Sequence, residues 1–275
     1  IVSEPTNKEM IREGTAVSID EACLSTKIYM GHIKSLIGKC DYILIPRISN
    51  FGIKRNMCTK FEALYDIACN VFRKSGQKFL SYNVDELQSV TEEKAFISMG
   101  EELGFTKKEA SAAYKAAKKA EGDYLKNQVK SQDLLFKKSG LKILIASHSY
   151  VEMDAYIGKP VTNYLKKMGV IPLYADIVDR RDAIRQSIKI SPTLKWEFSK
   201  EIVGGVQLYK DKIDGIILLS AFPCGPDSMV NEMIIRRFRG IPILNIVLDD
   251  QDGTAGLETR LESFIDILKF KGGAL

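Results

Sequence analysis

Two α/β lobes with parallel sheets, joined by a helical segment, are what this sequence predicts. Three observations carry that expectation. In the C-terminal half, short apolar runs alternate with amphipathic stretches, the grammar of strands linked by right-handed helical crossovers. The N-terminal part repeats this grammar in shorter form. Between them, residues 84–139 are rich in strong helix formers.

In chain order, Thr15-Ala-Val-Ser-Ile19 reads as a strand, Lys27–Ile37 as a helix, Tyr42-Ile-Leu-Ile45 as a strand and Phe61–Phe72 as a helix. Two strands make a poor sheet, since three or more are usually needed for independent stability. The N-terminal lobe is therefore expected to be incomplete, with a further strand–helix unit upstream of Ile1 and an exposed edge or core face near residues 15–19. Thr106-Lys-Lys-Glu109 is a capping-box pattern and opens the alanine- and lysine-rich stretch Ala110–Ala120. Residues 91–130 should be mostly helical. Lys142-Ile-Leu-Ile-Ala146, Ile171-Pro-Leu-Tyr174, Gly215-Ile-Ile-Leu-Leu219 and Ile241-Pro-Ile-Leu-Asn-Ile-Val-Leu248 read as strands. The helices between and after them should run Pro160–Met168 up to Gly169, Trp196–Leu208, Asp227–Arg239 up to Gly240, and Leu257–Phe270. The expected division is an N-terminal lobe over 1–83, a helical bridge over 84–139 and a C-terminal lobe over 140–275, the last boundary marked by Ser139-Gly140.

The chain has 275 residues, 45% hydrophobic and 27% charged, with a formal charge of +5, ordinary values for a soluble globular protein. The lysines concentrate in the central helical segment and are read as a solvated face, not a nucleic-acid surface. No apolar run reaches the ~18 residues needed to span a bilayer. Five scattered cysteines and no secretory signal point to a reducing, cytoplasmic compartment. Dinucleotide-binding, Walker A and nucleophile-elbow glycine patterns are absent, and Gly204-Gly205 falls inside an expected helix. Two histidines are too few for a histidine-rich metal site, and no cysteines form a C-x-x-C pair.

In open parallel sheets, ligands bind beyond the carboxyl ends of strands. Cys23 follows the strand expected at Thr15–Ile19, Cys58 lies in the loop after Tyr42–Ile45, and Cys224 lies in the loop after Gly215–Leu219. Cys40 and Cys69 fit apolar packing. The helix after Cys224, capped around Asp227, would aim its free N–H groups at the thiol and favour thiolate. Three thiolates suit a soft metal or cluster with one open position. The rival reading is a single reactive cysteine at Cys224.

Asp20-Glu-Ala-Cys-Leu-Ser-Thr-Lys27, Gly31-His32, Asp41-Tyr-Ile-Leu-Ile-Pro-Arg47 and Cys58-Thr-Lys-Phe61 resemble the 2-hydroxyglutaryl-CoA dehydratase D-component-like superfamily. They are closer still to its small relatives associated with CoA-substrate-specific enzyme activases. Phe222-Pro-Cys-Gly-Pro-Asp-Ser228, Gly253–Phe264 and Ser147-His-Ser-Tyr150 with Asp154 are similar to further motifs of that family. The resemblance implies Rossmann-like or flavodoxin-like lobes with a [4Fe–4S] cluster between them, held by Cys23, Cys58 and Cys224 and subject to loss in aerobic preparations. It implies an ATP-dependent activase as partner, a homologous subunit or homodimer, and a CoA thioester as substrate, with no nucleic acid and no membrane. In the well-understood relatives one low-potential electron reaches a thioester carbonyl and a hydroxyl group is expelled; others reduce aromatic thioesters, or small molecules on a double-cubane cluster. The sequence departs from the family pattern at Ser25, Thr59, Ser147-His-Ser149 and Asp250-Gln251, which leaves the substrate unassigned.

His148, at a strand end, is read either as a catalytic hydrogen-bond donor to substrate or as a histidine satisfied by loop backbone. His32 is read as helix packing. Arg47 is read as a phosphate or carboxylate ligand or as the partner of a cleft acid. Arg260 and Glu262 are read as structural, and Asp227 as a helix cap. Three functions stay open: a catalytic subunit of a dehydratase or reductase, a non-catalytic iron–sulfur carrier or assembly factor, and a metal-free binding protein.

Overall fold

The computed structural model describes residues 1–250 and 254–272. The chain opens with two packed helices, α1 (Lys8–Ala16) and α2 (Leu24–Leu36). This corrects the strand expected at Thr15–Ile19. Asn7 caps α1 by accepting from the amide of Met10, and Gly14 lets the two helices touch backbone to backbone. A Cβ on Gly14 would lie 1.8 Å from the carbonyl oxygen of Lys27. That close crossing outweighs the weak β preference of Thr15 and Val17.

Next come β1 (Tyr42–Leu44), β2 (Arg47–Asn50), α3 (Thr59–Val71), β3 (Lys78–Leu80) and β4 (Asn83–Asp85). β1 pairs with β3 and β2 with β4, both in parallel, as two two-stranded sheets. Bonds from Ile45 N to Leu80 O and from Arg47 N to Tyr82 O carry the ladder across the break. α4 (Glu92–Glu102) and the 30-residue α5 (Lys107–Phe136) follow. The capping box forms as expected: Thr106 accepts from the Glu109 amide, and Glu109 accepts from the Thr106 amide. α5 is about 45 Å long by helical rise. Its buried residues are Ala110 and Gln132. The Gln132 side chain accepts from Tyr174 N and donates to Tyr174 O and Ile177 O, so the helix seals a sheet edge.

The remaining elements are β5 (Lys142–Ala146), α6 (Ser149–Glu152), α7 (Lys159–Lys167), β6 (Ile171–Tyr174), α8 (Arg180–Ile190), α9 (Glu197–Tyr209), β7 (Gly215–Ala221), α10 (Gly225–Arg237), β8 (Ile243–Leu248) and α11 (Thr254–Gly272). The strands form one parallel sheet in the order β6-β5-β7-β8. The chain leaves β5 on one side for β6, then crosses back to β7 on the other, so strand order reverses between β5 and β7. This is an α/β fold of the Rossmann or flavodoxin type, with the crevice for a ligand at the carboxyl ends of β5 and β7.

All seven residues of β7 are buried, because helices cover both faces. Ile217, Leu219 and Ala221 face one core with α7 and α11; Ile216 and Leu218 face the other with α9 and α10. The first core also takes Ile11, Leu24 and Ile28 from α1 and α2, while Met30 and Ile33 of α2 face a smaller core with β1 and α3. α2 therefore belongs to both halves. Gly204 and Gly205 are explained by close approach: a Cβ on either would lie 1.8 Å from a backbone oxygen, of Ala183 and Ala175 respectively. Among the described residues no helix is long and apolar enough to cross a membrane.

Candidate functional site at three helix starts

Each of the three singled-out cysteines is the N-cap residue of a helix: Cys23 of α2, Cys58 of α3 and Cys224 of α10. All three have extended backbone (φ −64°, −72° and −79°), and none of their sulfurs caps its own helix. Backbone hydrogen bonds bring the three starts together. Leu24 N donates to Phe222 O at 2.8 Å, setting Cys23 beside the Cys224 loop. Asn56 N donates to Lys195 O and Glu197 N donates to Asn56 O, both at 2.9 Å, fastening the Cys58 loop to the start of α9. Arg55 reinforces this attachment with Nε and Nη2 at 3.0 and 2.7 Å from Oε1 of the buried Glu197.

The three cysteines line two neighbouring spaces. One is an open cleft of about 840 Å³ that also touches Lys60, Lys195, Trp196 and Met229. The other is a mainly apolar chamber of about 350 Å³, also open to solvent, that touches Tyr29, Phe61, Tyr150 and Asp227. His148 borders a further void of about 30 Å³ with Cys58, Cys224 and Tyr150.

His148 sits in the β5–β7 crevice and is 7% exposed. Its Nε2–H donates to Oδ1 of Asp227 at 2.8 Å, and its ring stacks on Tyr150 at 5.0 Å with a 10° interplanar angle. A side-chain carboxylate, not loop backbone, therefore satisfies it. Asp227 is not a cap: Cys224 occupies that place, and Asp227 is buried in the first turn of α10.

Cys58 and Cys224 are pushed toward the thiol form, and at Cys224 this runs contrary to the helix-dipole expectation. Burial pushes Cys58 up, against amides at the start of α3 that pull it down. Burial and then Asp227 push Cys224 up strongly. Here desolvation outweighs the few partial charges of a helix end. Tyr150, 40% exposed, is held far above its ordinary value by surrounding protein, then by Asp227 and the three thiols. Its hydroxyl stays a donor.

The other residues fall elsewhere. Cys40 and Cys69 line neither the cleft nor the chamber; Cys40 packs on the small core, and Cys69 neighbours Tyr65 on α3. His32, on the chamber wall, meets Ser3 at Nδ1 and Thr6 at Nε2. Arg47 pairs with Asp66 and lies 5.5 Å over the Tyr65 ring, so α3 and not a ligand takes its charge. Arg260 donates to Asn245 O at 2.6 Å and Glu262 accepts from Tyr164. Gln251 and Gly253 lie outside the described residues. Sequence reasoning missed Tyr150 as a site residue; its place two residues after a strand-end histidine was the available signal.

Among the described residues, no three His, Cys, Asp or Glu side chains are close enough to hold one metal ion. A cubane is less demanding, because each of its ligands binds a different iron. The donor set fits such a group: three sulfurs border one space, three helix starts direct amides toward it, and a coordinating thiol is deprotonated by the metal itself.

A family model described as CoA enzyme activase uncharacterised domain (DUF2229) matches residues 1–178. The chain belongs to this family. No curated protein matches it. In this member of the CoA enzyme activase uncharacterised domain family, the matched stretch runs from α1 through β6 and contains Cys23, Cys58, His148 and Tyr150, whereas Cys224 lies beyond it.

Proposed function

We propose that this chain holds a [4Fe–4S] cluster on Cys23, Cys58 and Cys224, and serves one-electron dehydration or reduction of a CoA thioester with an ATP-dependent activase as its partner. The observation that carries this reading is that three otherwise separate thiols each start a helix and border the same two spaces. The family match supports an association with CoA enzyme activases, and the resemblance to 2-hydroxyacyl-CoA dehydratases supports the choice of cluster.

When bound, the cluster would supply a low-potential electron. The chain's own groups bind, orient and exclude water. The chamber lies within the range of small-molecule pockets, and its lining is mainly apolar. Asp227 fixes the His148 ring and its Nε2–H. Tyr150 offers a hydroxyl that remains protonated beside the thiols. Lys60 and Lys195 at the open cleft give cationic groups for an anionic substrate tail.

The test is anaerobic purification followed by iron and sulfide analysis and EPR. The expected result is about four irons and four sulfides per chain with a brown, EPR-active reduced form. Separate Cys23→Ser, Cys58→Ser and Cys224→Ser substitutions should each remove the signal, and Cys40→Ser and Cys69→Ser should leave it. A full cluster in Cys224→Ser would end the assignment. A cluster that forms but never passes an electron to a thioester would make the chain a carrier.

A further inference from the structure

The chamber and the cleft share four lining residues: Cys23, Cys58, Lys60 and Cys224. These mark the junction of the two spaces, so the junction carries the thiols and a cation. The other walls of the chamber do not touch the cleft. They come from Ile28 and Tyr29 of α2, Ile48 of β2, Phe61 and Leu64 of α3, and Tyr150. Phe61 and Tyr150 meet edge to face with ring centroids 5.7 Å apart, which gives that side a built aromatic surface.

Beyond the junction the chamber's imidazole and acids are already engaged. Asp154 accepts from the Thr6 hydroxyl and from the amides of Tyr156 and Ile157 at 2.8 and 2.9 Å. Thr6 has one proton to give and gives it to Asp154, so its oxygen accepts from Nε2–H of His32 at 2.9 Å. Nδ1 of His32 then accepts from the Ser3 hydroxyl at 2.8 Å. Neither ring nitrogen is left for a ligand. Asp227 accepts from His148. Among the described residues that line the chamber, Lys60 is the one lysine or arginine, and it stands at the junction. A carboxylate reaching past the junction would leave water for a mainly apolar space, meet no lysine or arginine there and face two acids.

We propose that the chamber receives the acyl part of the thioester and selects an apolar one, branched or aromatic, with no charged group at its far end. That the ligand is a CoA thioester rests on the function proposed above; the selection against a distal charge does not. The thioester carbonyl would lie at the junction beside the thiols. The acyl chain would enter the chamber, and the anionic tail would leave through the cleft past Lys60 and Lys195. Charge thus sorts the two ends of one ligand: cations stand on the cleft side, and an apolar wall with partnered acids stands on the other. Burying hydrocarbon against Ile28, Ile48, Leu64 and Phe61 favours the apolar chain, and the acids oppose a dicarboxylic one.

The experiment compares isoheptanoyl and glutaryl thioesters, which match in shape and differ in the terminal group, isopropyl against carboxylate. Each is made on CoA and on N-acetylcysteamine, which lacks the CoA tail. Binding to the anaerobically purified full chain is measured by calorimetry for the CoA esters and by ligand-observed NMR for the short ones. The isoheptanoyl ester should bind about tenfold tighter or more in both series. Ile48→Lys, which sets a cation in the chamber wall, should narrow or reverse that preference; the comparison on the unaltered chain decides the matter should this variant not fold. Glutaryl binding as tight as isoheptanoyl in either series, or no binding of the isoheptanoyl esters at all, would overturn the proposal. An unchanged preference with CoA esters no tighter than the short ones would support the chamber's selectivity while removing CoA from the function proposed above. Loss of the cluster reading shows separately, in iron content.

Discussion

The two halves of this molecule hold their strands in different ways. In the C-terminal sheet, β7 is buried along its whole length and lined by a core on each face. In the N-terminal region, β1 and β3 are three residues each, and Tyr42 and Leu44 are 44% and 47% exposed. Yet two of the three thiols belong to the weaker half. They are positioned because their helix starts are bonded to the stronger one, at Phe222, Lys195 and Glu197. A short-stranded region can carry part of a precise site when a rigid sheet supplies the reference frame.

The largest expected effect sets the same truncation in both halves. Ile217→Ala, at a residue 0% exposed in β7, should cost about 4 kcal/mol in urea unfolding. Ile43→Ala in β1 should cost about 2 kcal/mol, since the smaller core can collapse around the gap. Equal costs would show that the N-terminal strands are as tightly framed as β7.

Next is a dependence on pH at the seam between the halves. Glu201 neighbours the Arg180–Glu197 pair, and burial raises its carboxyl from 4.5 to about 7. The folded state therefore binds a proton that the unfolded chain has released. Its contribution is fully present below pH 4.5 and is lost as pH rises through about 7. The loss is of order 3 kcal/mol at most. Glu201→Gln should flatten the fall in melting temperature across that window; an unchanged profile would remove Glu201 as its source.

The smallest effect lies outside both sheets. Thr106→Ala deletes the side-chain cap of the exposed α5 and should cost about 1 kcal/mol, seen as faster amide exchange in the first turn with the C-terminal sheet unaffected. Exchange that also rises at β6 would mean that end fraying reaches Gln132 at the far end of α5.

Legibility in the sequence follows the same contrast. The central C-terminal strands β5 and β7 were readable because burial on both faces demands continuous apolar runs, and the helices because one face must be apolar. The capping box was readable because its bonds are local. β2, β3 and β4 escaped because three or four residues are too few to show a period. α1 escaped, and its last residues read as part of a strand over Thr15–Ile19, because its packing depends on Gly14 meeting α2, a long-range contact with no local signature. α8 was not anticipated, although Asp179 caps it by accepting from the amides of Arg181 and Asp182.

What the sequence determined by itself is where chain direction changes and which residues stand at those changes: the three thiols and His148 follow apolar runs or precede helices, and local patterning is enough to say so. Only the tertiary structure decided that Cys23, Cys58 and Cys224 border the same spaces, and that Asp227 holds His148 and does not cap α10. These facts depend on β5 and β7 lying side by side and on α2 and α3 being fastened against them. Contacts between residues tens to hundreds of positions apart leave no periodic trace in a chain, and burial, which raises Cys58, Cys224 and Glu201, exists only once the chain has folded.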